Sequence, residues 1–152
     1  DTVISAFGMK PVLTTVDAVK AKYHLKTRVV GDSNKLGKIG EEIANKHLLK
    51  NGYAILETNW RYKKYEVDLI ARIGETIVFV EVKTRKSGTF GEPEIFVTRQ
   101  KQNYLIAAAH QYMFDKNCEL EARFDIIAII ITNRNQNLNH LEGAFTPEVK
   151  KI

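Results

Sequence analysis

The stretch that decides the fold is Glu66-Val67-Asp68-Leu69-Ile70-Ala71-Arg72-Ile73-Gly74-Glu75-Thr76-Ile77-Val78-Phe79-Val80-Glu81-Val82-Lys83. Residues 66–73 and 76–84 are rich in β-branched and aromatic side chains, as strands are. Gly74-Glu75 between them predicts a two-residue turn with glycine first, which suits type II′. With so tight a turn, Ile73 pairs with Thr76 and the register follows. One face then carries Val67 opposite Val82, Leu69 opposite Val80 and Ala71 opposite Val78, an apolar set expected to rest on a core. The other face carries Arg72–Ile77, Ile70–Phe79, Asp68–Glu81 and Glu66–Lys83.

The pair Asp68–Glu81 holds the information about chemistry. Side chains directly opposed on neighbouring strands have Cβ atoms about 4.5–5.5 Å apart. Two ionised carboxylates at that distance repel, so a shared proton, a basic neighbour or a divalent cation must neutralise them. Hard oxygen ligands suit Mg²⁺, which takes one or two carboxylates together with water and phosphate oxygens. Lys83 follows Glu81 by two residues and projects from the same face. There it can orient an attacking water and stabilise charge building on a phosphate. The plainer reading is a solvated strand face with a cross-strand salt bridge. Against it stand the apolar neighbours Leu69-Ile70 and Val78-Phe79-Val80, because charges embedded in such a core need partners.

Outward from the hairpin the chain reads as one α/β unit. Leu36, Ile39, Ile43, His47 and Leu48 recur at helical spacing, and Gly52 follows as a stop, predicting a helix over 36–51. Residues 53–62 read as a strand. A loop with Gly88, Gly91 and Pro93 leads to a second helix from Thr98 to about Asp115, with Leu105, Ala108, Ala109 and Tyr112 on one side. Residues 123–132 form an apolar strand expected to be buried on both faces. The turn at 133–137 precedes a last strand over 138–145. The organisational seam lies near Val30 to Lys35. Residues 1–34 form a basic extension with Lys10, Lys20, Lys22, Lys26 and Arg28 against Asp1, Asp17 and Asp32, and residues 35–152 form the main domain. A short helix from Thr14 to about Leu25 is expected in the extension. Its role is open between a DNA-facing arm and a segment packed on the surface.

Composition bounds the rest. A chain of 152 residues, 44% hydrophobic and 27% charged, is an ordinary globular domain. It can bury roughly 70% of its unfolded surface without staples. The single cysteine, Cys118, cannot form an intramolecular disulfide and fits a reducing cytoplasm. No cysteine–histidine cluster points to zinc. His24, His47, His110 and His140 are scattered and show no ligand spacing. No apolar run is long enough for a transmembrane helix, so no membrane association is expected, and residues 1–8 do not read as a secretory signal. The first residue is Asp1, which leaves open whether the natural start lies upstream or at Met9. The formal net charge of +5 permits a polyanionic partner without requiring one.

The string Asp68…Glu81-Val82-Lys83 resembles the active-site signature of the PD-(D/E)xK nucleases: an acid, a hairpin-length gap, then acid-x-lysine. The surrounding motifs are more specific. Leu36-Gly37-Lys38-Ile39-Gly40-Glu41, Asn59-Trp60-Arg61, Glu66-Val67-Asp68-Leu69-Ile70-Ala71, Val78-Phe79-Val80-Glu81-Val82-Lys83-Thr84-Arg85 and Arg123-Phe124-Asp125 occur in this order. Together, over about residues 35–146, they resemble the YraN family of small bacterial proteins, predicted endonucleases similar to archaeal Holliday junction resolvases. Lys101-Gln102 in the second helix matches as well. The glycine usual before the Glu-x-Asp string is Tyr65 here, a departure in the loop leading into the site.

The resemblance implies a restriction-endonuclease-like α/β fold, a mixed central β-sheet flanked by helices. It also implies hydrolysis of DNA phosphodiesters dependent on Mg²⁺, with Mn²⁺ as the other candidate. Asp68 and Glu81 would be the main metal ligands and Glu41 a third acid, unless Glu41 is a surface helix residue. Lys83 would position the attacking water, or else pair with Glu66. Lys101 would reach a phosphate. Arg61, Lys63, Lys64, Arg85 and Lys86 flank the carboxylate end and would contact phosphates, which fixes position but not sequence. Trp60 and Tyr62 offer stacking surfaces, with core packing the plainer role for Trp60. Arg123 and Asp125 are expected to stabilise the sheet edge near the site. Resolvase-type action would need a homodimer, because two strands are cut symmetrically. The rival readings are a non-catalytic nucleic-acid-binding module and a protein-interaction domain on the same fold.

Overall fold

A computed structural model describes residues 33–86 and 97–148. Most of the basic extension, with its expected helix from Thr14, and the loop with Gly88, Gly91 and Pro93 lie outside the described residues. The elements run α1 (Ser33–Lys50), β1 (Ala54–Tyr62), β2 (Tyr65–Ile73), β3 (Thr76–Lys86), α2 (Arg99–Asp115), β4 (Glu121–Ile131) and β5 (Gln136–Phe145). The strands form one sheet in the order β1-β2-β3-β4-β5. Only β3 and β4 run parallel; the other neighbours are antiparallel. A parallel pair needs a crossover, and α2 supplies it. This is the expected α/β architecture, a mixed central sheet with a helix on each face.

Each helix seals one face with the residues its periodicity selects. On one face, Ile39, Ile43, Ala44 and Leu48 of α1 pack with Leu69, Ala71, Val78, Val80, Ile127 and Ile129. On the other, Leu105, Ala108, Ala109 and Tyr112 of α2 pack with Ile70, Ile77, Phe79, Phe124 and Ile126. Residues 124–129 of β4 are buried throughout, as a strand covered on both faces must be. Thr98 caps α2, its Oγ1 accepting from the Lys101 amide at 3.2 Å.

The hairpin register is the expected one at its turn end. Leu69–Val80, Ile70–Phe79, Ala71–Val78, Arg72–Ile77 and Ile73–Thr76 all pair. Gly74 takes φ +55°, and no positive φ falls at Glu75, as a type II′ turn requires. Towards the carboxylate end the expectation fails. The β2–β3 pairing stops at Leu69–Val80, so Asp68–Glu81 and Glu66–Lys83 are not ladder pairs. Val67 belongs to the core under α2 rather than to the face of Leu69 and Val80. The cause is local. On the β1 side, the pairs run from Thr58–Leu69 to Trp60–Val67 and skip Asn59 opposite Asp68. Asn59 has φ +49°, a left-handed conformation that breaks strand alternation. On the β3 side, the Asp68 carboxylate takes the Val82 amide at 2.8 Å, a donor that strand pairing would otherwise use.

A candidate acid–lysine centre where two strands part

The parting of β2 and β3 sets the geometry of the site. Asp68 Oδ2 accepts from the Val82 amide, which holds its carboxylate beside Glu81 rather than across a ladder from it. Glu81 is 6% exposed and rises from β3 among otherwise apolar buried residues. Lys83 Nζ lies 3.5 Å from Glu81 Oε1. Lys101, in the first turn of α2, places Nζ 3.6 Å from Glu81 Oε2. That separation is too long for a hydrogen bond, and Glu81 Oε2 is a buried carboxylate oxygen without a hydrogen-bond partner. Four residues named from the sequence, Asp68, Glu81, Lys83 and Lys101, therefore meet at one point.

Charge crowding shows in the titration of the acids. The Asp68 carboxyl is pushed up to about 7, first by burial and next by the Glu81 charge; the Val82 amide and Lys101 offset only part of this. Glu41 sits half-buried on α1. Its carboxyl is raised by burial and by the charges of Glu66 and Glu81, while a hydrogen bond from Asn59 and the charge of Lys38 pull it back. Among the described residues, no three His, Cys, Asp or Glu side chains gather into a ready metal cage. Glu41 thus feels the acid pair through charge without closing a set with it. An orphaned carboxylate oxygen beside a second, proton-retaining carboxylate nevertheless fits a hard divalent cation that draws its other ligands from water and phosphate.

Gly40 explains how α1 comes so near. A Cβ on Gly40 would lie 1.7 Å from Thr84 Oγ1, so only glycine lets the helix backbone rest on β3 there. This close approach places Glu41 against the site.

The basic residues divide. Lys63 and Lys64 form the β1–β2 turn, where Lys63 takes φ +54°. Tyr65 pairs with Tyr62 as the first residue of β2 and takes no positive φ, so the left-handed residue of this turn is Lys63 rather than the position where the glycine is usual. Arg61 pairs with Glu66 at 3.2 Å. This replaces the expected Glu66–Lys83 bridge, because the strands have parted there and Lys83 turns to Glu81. Arg85 and Lys86 are exposed at the far end of β3. Trp60 packs edge-on against the buried Tyr112, with ring centroids 5.3 Å apart.

Arg123 and Asp125 do not sit at a sheet edge. β4 is an inner strand, and Asp125 is 1% exposed on the α1 side, opposite the acid pair. It accepts from Arg123 Nε (2.9 Å) and Nη2 (2.8 Å), and from the Gly143 amide (3.0 Å). His140 Nε2 lies 2.7 Å away, and His140 Nδ1 meets His47 Nε2 at 3.1 Å. Burial alone would raise the Asp125 pKa, but the His140, Arg123 and Gly143 hydrogen bonds bring it below the usual carboxylate range. Two histidines given no role from the sequence thus end a buried polar chain. The signal that could have found it was Asp125 itself, one charge inside Phe124-Asp125-Ile126-Ile127, which needs partners as Asp68 does.

Residues 40–129 match the model of the uncharacterised protein family UPF0102. The chain is 43% identical over 116 residues to a UPF0102 protein of Flavobacterium psychrophilum, covering 76% of this chain and 98% of that one. It is 40% identical over 116 residues to a UPF0102 protein of Alkaliphilus oremlandii, covering 74% of this chain and 99% of the relative. Of solved structures, one described as "Crystal structure of SSO0001" is similar at TM-score 0.32 and 17% identity, over 93% of this chain and 74% of that one. An overlap that low says nothing about function.

Proposed function

The chain belongs to the UPF0102 family, the YraN family its motifs resemble, and on that footing we propose that it is a metal-dependent endonuclease hydrolysing DNA phosphodiesters. The observation that carries this reading is the buried Glu81, whose Oε2 has no hydrogen-bond partner, and whose charge helps the half-buried Asp68 hold its proton to about neutral pH. A fold gains nothing from such a pair by itself. Asp68 and Glu81 would hold Mg²⁺ or Mn²⁺, which when bound supplies Lewis acidity and positive charge against the phosphate.

The chain's own groups do the rest. Lys83, 3.5 Å from Glu81, would orient a water for in-line attack. Lys101, on the other side of Glu81, offers a positive charge to the phosphate oxygens as they gain charge. Lys63 and Lys64, together with Arg61, Arg85 and Lys86, lie along the flanking turn and strand ends where a backbone of phosphates would pass. Branched DNA is the substrate the resolvase resemblance suggests, and symmetric cutting would use a homodimer.

The experiment is cleavage of linear, flapped and four-way DNA with Mg²⁺ or Mn²⁺, comparing the wild type with Asp68→Ala, Glu81→Ala and Lys83→Met. The wild type should cut at least one substrate, the two acid variants should fall to background, and Lys83→Met should lose roughly 100-fold or more. DNA binding without cleavage under any divalent ion would end the enzyme reading.

A further inference from the structure

We propose that the β1–β2 hairpin and the first turns of α2 form a platform on which the bases of an unpaired DNA strand stack, built from Tyr62, Tyr65 and Tyr104 with Lys63 and Lys64. The inference rests on the nuclease reading of the neighbouring acids and adds the substrate feature they would act beside, a single-stranded segment.

A continuous run of rings leads out of the core. From Trp60 at its root, the stack passes to Tyr62 (6.4 Å between centroids, 14° between planes). Tyr62 meets Tyr65 at 6.3 Å, and Tyr65 meets Tyr104 at 4.8 Å. Trp60 and Tyr65 pack against the core under α2, but Tyr62 and Tyr104 are not part of that packing. Core cover accounts for the inner rings and leaves the outer two unexplained.

The lysines complete the chemistry. Lys63 Nζ lies 5.2 Å from the Tyr62 ring centroid, and Lys64 Nζ lies 5.2 Å from that of Tyr104 and 5.8 Å from that of Tyr65. An exposed ammonium holds a ring face more weakly than a nucleobase does. An incoming base would therefore displace it, and the freed ammonium stays within reach of the backbone phosphates. Duplex bases present edges in their grooves, whereas only unpaired bases present whole faces. The platform also adjoins the acids through both its elements. Tyr65 precedes Asp68 on β2, and Tyr104 follows by three residues the Lys101 whose Nζ lies 3.6 Å from Glu81.

Trp60 is the sole tryptophan, so its emission reports on this stack. The full chain in EDTA, which prevents cleavage, is titrated with an oligothymidylate and with a blunt duplex of equal length. Trp60 emission and the anisotropy of labelled DNA are both read. The oligothymidylate should quench Trp60 and bind at least about tenfold tighter than the duplex. Tyr62→Ala and Tyr104→Ala should each weaken it about tenfold, with melting transitions like the wild type. Tyr62→Phe and Tyr104→Phe should keep the affinity, since the ring face is what binds.

Equal binding of strand and duplex, alanine variants that bind like the wild type, or phenylalanine variants as weak as alanine would each overturn the platform. Any of these leaves Asp68- and Glu81-dependent cleavage untouched. Stacking without cleavage of any substrate would instead sink the nuclease reading and keep the platform.

Discussion

At the scale of the residue, the ionised form of Asp68 opposes the stability of the fold that carries it. Asp68 holds its proton to about 7 in the folded chain, because burial and Glu81 disfavour its charge, against 3.8 as its ordinary value. Between those values the folded state binds the extra proton. The contribution of this group to stability is therefore full below about pH 4 and is lost as pH rises through about 7. Asp68→Asn removes the charge and keeps the shape. It should raise the melting temperature at pH 8 and flatten its fall between pH 5 and 8, and under the proposed function it should also abolish cleavage. A variant that melts at or below the wild type at pH 8 would contradict the repulsion. The embedded acids were legible because apolar neighbours make a charge conspicuous. Their exact relation was not, since a pairing rule presumes a continuous ladder and the Asp68 side chain itself interrupts it.

At the scale of the element, the contact of α1 with β3 turns on Gly40. Alanine in a helix interior is favoured over glycine by about 1 kcal/mol. Here its methyl would meet Thr84 Oγ1 at 1.7 Å and Thr84 Cβ at 2.9 Å. Overpacking costs about 1–3 kcal/mol, and an approach of 1.7 Å belongs at the upper end of that range, so the clash outweighs the propensity. Gly40→Ala should lower stability by roughly 1–2 kcal/mol in chemical denaturation. Adding Thr84→Ala, which removes the nearest atom, should recover part of it; an unchanged or raised stability would show that α1 stands off the strand. The helices themselves were readable, since Leu105, Ala108, Ala109 and Tyr112 are the residues that α2 buries. The junction of His47 with His140 was not, because the two lie 93 residues apart and meet only once sheet order sets β5 beneath α1. Periodicity describes an element's face without naming what will face it.

At the scale of the whole molecule, the net charge of +5 matters through its arrangement. The acid pair sits inside, and lysines and arginines line the turn and strand ends around it. Binding to a single strand should weaken with salt, each neutralised phosphate contributing about 0.7 to the logarithmic slope. Lys63→Ala with Lys64→Ala should reduce that slope by about 1.4, measured by anisotropy between roughly 50 and 200 mM salt. An unchanged slope would remove these lysines from the phosphate contacts. Total charge could be counted from the sequence, but its grouping waited on the topology.

The single parallel pair in the sheet has a consequence for how the molecule is made. β2 and β3 join across two residues, whereas β3 meets β4 only when Thr76 finds Glu121. A hairpin closes in microseconds, and distant pairing is slower because the loop must first be gathered in. The strands that carry both acids are therefore expected to pair early, and the covering layer with Lys101 to close over them later. On that order the burial that raises the Asp68 carboxyl would come with the final closure rather than at nucleation.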